Sequence, residues 1–166
     1  MNYLFSILLL LPSGFGQDAT VTFYSMGSTG KTGLKVGVTL GVPGKMPFAG
    51  WVFDGDHKLA RLQPGHFMTL HLASGEHVFS GTFNSKHPAA NALLPLTLAA
   101  DQHYFVRLTG EHNGILVVLT YKGFIQQVDC ETARQEASGA EPIKANRVEK
   151  DVRDSLADVA HFPRCK

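Results

Sequence analysis

The feature that most constrains this chain is the two-residue recurrence of its apolar positions, in short runs that each end at Gly, Pro, Asn or Asp. Leu34, Val36, Val38, Leu40 and Val42 fall on one side of an extended backbone, while Lys35, Gly37, Thr39 and Gly41 fall on the other. That is the period of a strand with one buried face, and a helix cannot present it as a continuous stripe. Val21 and Phe23 alternate with polar neighbours over 20–24 and predict a first strand. Further runs predict strands over 51–53, 59–62, 67–72, 77–83, 93–98, 104–108 and 115–121.

The turns between these runs carry their own chemistry. Asp54-Gly55-Asp56 and Asn113-Gly114 each stand between two apolar runs, and both accept the positive φ that tight hairpins require. Ala73-Ser74-Gly75-Glu76 is expected to fold 67–72 back onto 77–83, setting Leu72 opposite His77, Leu70 opposite Phe79 and Met68 opposite Gly81. Roughly seven or eight strands with one apolar face each are buried most simply as a mainly β, antiparallel two-sheet sandwich of immunoglobulin-like type, with an open barrel as the alternative. The 17 Gly, 8 Pro and 11 Phe suit such short strands and tight turns.

Beyond Cys130 the pattern changes. Residues 131–137 are helix-prone and Ser138-Gly139 stops them; Asn146 and Glu149 have capping-box spacing, and Val148, Val152, Leu156 and Val159 then predict one face of a second helix ending before Pro163. The expected organisation is a signal peptide over 1–16, a β-sandwich domain over 17–130 and a short helical extension over 131–166.

The signal peptide follows from the apolar run Leu4 to Leu11 and the small residues Gly14 and Gly16 flanking Phe15. Such a run is too short to span a bilayer, which takes about 20 apolar residues. Its removal implies a periplasmic or secreted protein with no transmembrane segment. Cys130 and Cys165 are the only cysteines, and in an exported chain an even count reads as a bridge that ties down the C-terminal tail. With 15 basic against 14 acidic residues, the net charge of +1 gives no general attraction to nucleic acid or to an anionic membrane.

Motifs with catalytic meaning fail on context. Ser25-Met26-Gly27-Ser28-Thr29-Gly30-Lys31-Thr32 approaches a phosphate-binding loop, but Ser25 replaces the first Gly and a strand pattern, not a helix, follows. Asp54-Gly55-Asp56 has Lys58 where a calcium loop wants a third oxygen. Eight histidines, His57, His66, His71, His77, His87, His103, His112 and His161, invite a metal hypothesis without forming a ligand motif. His66 and His77 are the weak metal candidates, on one face of the expected 67–83 hairpin but at opposite ends of it. No residue is nominated as catalytic and no cofactor is implied. Trp51, the sole tryptophan, suits stacking on a sugar or anchoring a partner, although a tryptophan beside Val52 and Phe53 is more often a core residue.

The stretch from Trp51-Val52-Phe53-Asp54-Gly55-Asp56 to Leu62, then Pro64-Gly65-His66-Phe67, Ala73-Ser74-Gly75-Glu76-His77 and Asp101-Gln102-His103-Tyr104-Phe105-Val106-Arg107, resembles domain-of-unknown-function family 2846. The resemblance covers about residues 18–130 and rests on turn residues and core aromatics. It implies an immunoglobulin-like or related β-sandwich in bacterial envelope proteins, and it carries over no active-site residue. The functional expectation is therefore an exported, non-enzymatic binding or structural module of the envelope, with a protein or glycan partner. The competing reading is a metal-binding protein or metal-dependent hydrolase built on clustered histidines.

Overall fold

A computed structural model describes residues 18–26, 44–83, 87–88, 92–113 and 120–165. The expected signal peptide, the phosphate-loop-like segment beyond Met26 and the alternating run 34–42 lie outside these residues. Along the chain the elements are β1 (Asp18–Ser25), β2 (Gly44–Pro47), β3 (Gly50–Asp54), β4 (His57–Leu62), β5 (His66–Ala73), β6 (Gly75–Thr82), β7 (Leu93–Leu98), β8 (His103–Asn113), β9 (Thr120–Val128), α1 (Cys130–Glu136) and β10 (Glu141–Pro142). Two short 3-10 helices, Ala145–Arg147 and Lys150–Ser155, follow.

The strands form the expected two-sheet sandwich, but only one sheet is antiparallel throughout. That sheet has the order β4-β3-β6-β7. In the other, β8 lies between β9 on one side and β1 then β2 on the other, and β5 and β10 continue beyond β1. It is mixed, because β1 runs parallel to β8 and β10 runs parallel to β5. Val21, Phe23, Met68, Leu70, Val106 and Leu108 from this sheet meet Val52, Ala60, Leu62, Phe79 and Leu98 from its partner, with all of them at most 2% exposed. Phe23 and Phe79 join the layers edge to face, their centroids 5.0 Å apart.

The hairpin at Asp54-Gly55-Asp56 forms as expected between β3 and β4, with Gly55 at φ 55°. The expected 67–83 hairpin does not form. Only Ser74 separates β5 from β6, too short a link for two strands to fold back on one another, so the chain turns a corner at Gly75 (φ 141°) and enters the other sheet. Met68, Leu70 and Leu72 instead face Phe23, Val21 and Ala19 of β1. A second correction concerns Asn113-Gly114. Asn113 pairs with Thr120 in the β8–β9 ladder and is therefore a strand residue rather than the first residue of a tight turn; residues 114–119 lie outside the described residues.

The C-terminal segment departs most from expectation. α1 matches the predicted first helix and is capped by Asp129, whose carboxylate accepts from the Thr132 amide at 2.9 Å. The predicted second helix is absent. From Ile143 the chain crosses from the edge of β5 to the edge of β4 and back: the Ile143 amide donates to Phe67 O, Glu149 to Leu59 O and Ala157 to Thr69 O. Val148 bridges to Ala60, and Leu156 to Leu70. The open strand edges supply hydrogen bonds that a helix would have had to make internally. Ile143, Val148 and Val152 still bury their side chains, in the gap between the sheets rather than along a helix face. Neither 3-10 helix has a side-chain cap, so the Asn146 and Glu149 capping box is not made.

This strap closes one side of the sandwich; small residues close the other. A Cβ on Gly123 of β9 would lie 2.4 Å from Gly81 O of β6, and one on Gly81 would lie 2.7 Å from Leu108 Cδ2. On the outer face of the mixed sheet, α1 and the tail cover Tyr24, Phe67 and Phe105 with Ala133, Ala137 and Phe162. Cys130 and Cys165, 35 positions apart, are bonded, which ties the two ends of the C-terminal segment together.

Candidate functional site

Among the described residues no three His, Cys, Asp or Glu side chains gather to hold a metal ion. His66 and His77 belong to different sheets and do not meet. His66 Nδ1 lies 2.9 Å from Pro64 O. His77 has Nδ1 2.6 Å from Asp54 Oδ2 and Nε2 2.9 Å from Ala73 O, so both ring nitrogens are turned toward protein oxygens. This pair anchors the Asp54-Gly55 turn to the start of β6. His57 makes an exposed ion pair with Asp151 of the strap at 2.7 Å, holding the Asp151 carboxyl below its ordinary range.

Two polar clusters escaped sequence reasoning, and both are structural. Tyr24 donates to Glu136, which also accepts from Arg107, and Arg107 donates to Gln126 at 2.7 Å. Burial, then the Glu136 carboxylate, raises the Tyr24 phenol far above its usual value. Tyr24 is fully buried, and the network fastens α1 to the mixed sheet. Thr22 Oγ1 lies 2.8 Å from both Thr69 Oγ1 and His103 Nε2, but the Thr22 side chain is also fully buried and cannot be presented to a substrate.

Two concave regions adjoin the strap. One, of about 320 Å³, lies between β5 and the strap and is walled chiefly by Met68, Ile143, Leu156 and Val159; its backbone edge is already bonded to the strap. The other, of about 270 Å³, is built differently. Trp51 is directly opposite Arg61 in the β3–β4 ladder. The Ala60 to Val148 bridge is antiparallel and points both of those side chains inward, which places the next residues, Arg61 and Arg147, side by side on the outer face. The result is a row of Trp51, Arg61 and Arg147 across three backbone segments. Asn146, Glu149 and Arg153 complete the wall.

Charge in this row is unbalanced. The wall carries three arginines against one glutamate. Among the described residues, none of the three guanidinium groups has a carboxylate oxygen within 4.0 Å. Arg153 is oriented by a bond from Nε to Val148 O at 3.2 Å. The Lys58 ammonium lies over the Trp51 ring, 4.6 Å from its centroid, adding another cation nearby. Trp51 is half-buried on the outer sheet face and lies outside the buried core. Sequence reasoning singled out Trp51 but not its arginines, because Arg147 reaches the row only through the course of the strap.

Comparison of the chain with family models, with curated proteins and with solved structures returns no match. Among the described residues, no helix is long and apolar enough to cross a membrane.

Proposed function

We propose that this chain is an exported, non-enzymatic binding module of the bacterial envelope, acting in the periplasm or outside the cell, and that its ligand is held on the Trp51 face. The observation that carries this reading is the half-buried Trp51 in register with Arg61, beside Arg147, whose charges have no carboxylate partner among the described residues. Aromatic and arginine side chains together dominate recognition surfaces, since each combines large contact area with directional bonding. Export is supported by the apolar run Leu4 to Leu11 and by the Cys130 to Cys165 bridge, a bond that persists in oxidising compartments.

The test is a thermal-melt series on the mature protein with a panel of envelope glycans and peptides, since a ligand that binds only the folded state raises Tm by mass action. The expected result is a saturable rise that disappears in Trp51→Ala, with the ligand recovered unchanged by mass spectrometry. A rise that survives Trp51→Ala, or a ligand returned chemically altered, overturns the reading.

A further inference from the structure

From the geometry of the same face, and resting on the binding-module reading above, we infer that its ligand is an acidic saccharide, with a sugar carboxylate seated between Arg61 and Arg147 and the sugar ring against Trp51.

The case begins with an electrostatic imbalance. Like charges directly opposite one another across neighbouring strands are unfavourable. Here Arg61 and Arg147 stand side by side, Arg153 is turned toward the same hollow, and the only acidic residue in the wall is Glu149. An anion arriving between Arg61 and Arg147 removes that repulsion, so binding strength resides in the interaction the free protein lacks. Guanidinium forks match a carboxylate through two parallel N–H bonds, which favours a planar carboxylate as the anionic group.

The non-anionic part of the ligand is set by Trp51. The Lys58 ammonium covers one side of the Trp51 ring, 4.6 Å from its centroid, and the apolar edge and N–H donor that the half-buried indole retains suit the C–H groups and hydroxyls of a pyranose. Asn146 adds an amide that donates and accepts, again suited to hydroxyls. The hollow of about 270 Å³ has the capacity for one small unit such as a single sugar residue. A nucleic acid fits less well: one indole provides no stack of successive platforms, and the net charge of +1 provides no long-range attraction.

The experiment is calorimetry on the mature protein with an oligogalacturonate, with the same oligosaccharide after reduction of its carboxylates to alcohols, with sodium acetate, with inorganic phosphate and with a single-stranded oligonucleotide of equal charge. The acidic oligosaccharide is expected to bind at least tenfold tighter than each of the others. Arg61→Gln and Arg147→Gln are each expected to weaken it about tenfold while leaving the Tm of the free protein unchanged or higher, because the substitution relieves repulsion. Trp51→Leu should weaken the acidic and the reduced forms in parallel. Equal binding of the reduced form in wild type, abolished by Trp51→Leu, overturns the acidic assignment and leaves the binding-module reading intact. Acetate or phosphate binding as tightly as the oligosaccharide, or the oligonucleotide binding tighter, also overturns the assignment. Arginine variants that lose Tm and bind the oligosaccharide as wild type does overturn it too, by showing the arginines to be structural.

Discussion

At the scale of single residues, much of the sandwich depends on positions where a side chain is absent or tightly enclosed. Gly81 and Gly123 let β6 and β9 of opposite sheets approach until backbone touches backbone. Gly123→Ala drives its Cβ into the Gly81 carbonyl oxygen, which cannot move without moving a strand; Gly81→Ala meets the end of the Leu108 side chain, which can rotate. Urea unfolding should therefore show the larger loss for Gly123→Ala, about 2–3 kcal/mol, and the smaller for Gly81→Ala, about 1 kcal/mol. Phe23→Ala removes a fully buried ring from the inter-sheet contact with Phe79 and is expected to lower stability by about 3–5 kcal/mol in the same measurement.

At the scale of elements, α1 and the strap respond to different physics. Asp129 caps α1, and its carboxyl is held below the usual value of 3.8, first by the Thr132 hydroxyl and then by the Thr132 amide. A folded-state value below the unfolded one means that the contribution is complete above the ordinary aspartate range and is lost as pH falls through the lowered value. Asp129→Asn should keep the cap while flattening this acid dependence of Tm, and Asp129→Ala should lower Tm at neutral pH as well. The strap is held by edge bonds instead. Glu149 sits at φ −57° after an extended Val148, a backbone that proline adopts without strain, so Glu149→Pro measured against Glu149→Ala isolates the loss of the amide bond to Leu59 O. The expected loss is about 1–3 kcal/mol by denaturant unfolding, with the far-ultraviolet spectrum unchanged.

At the scale of the whole molecule, the disulfide closes a loop that contains the entire strap. Reduction is expected to lower stability by about 4 kcal/mol, taken from the 35-residue separation in the chain-entropy picture, and to release the strap first because its contacts lie within the loop that the bond closes. A Cys130→Ser, Cys165→Ser variant that unfolds at the same urea concentration as wild type would contradict this. Local information determined several elements by itself. Asp54-Gly55 specified its hairpin because its φ requirement is met within two residues, the 20–24 alternation and the apolar runs 93–98 and 104–108 specified strands, and the helix-prone 131–137 specified a short helix whose cap, Asp129, only the structure revealed. Which strands pair was decided by tertiary structure. The 67–83 segment has hairpin-like patterning, yet one linking residue sends its halves to different sheets, and alternation alone cannot name a strand's neighbour. The fourfold spacing of Val148, Val152 and Leu156 fits a helix as well as it fits a chain crossing between two sheet edges. The open edges of β4 and β5 select the second, by bonding backbone groups that no sequence window contains. The candidate site divides in the same way: Trp51 is legible as an aromatic at a turn, whereas Arg61 and Arg147 become neighbours only when the strap docks, because their proximity is created by a bridge between segments distant in the chain.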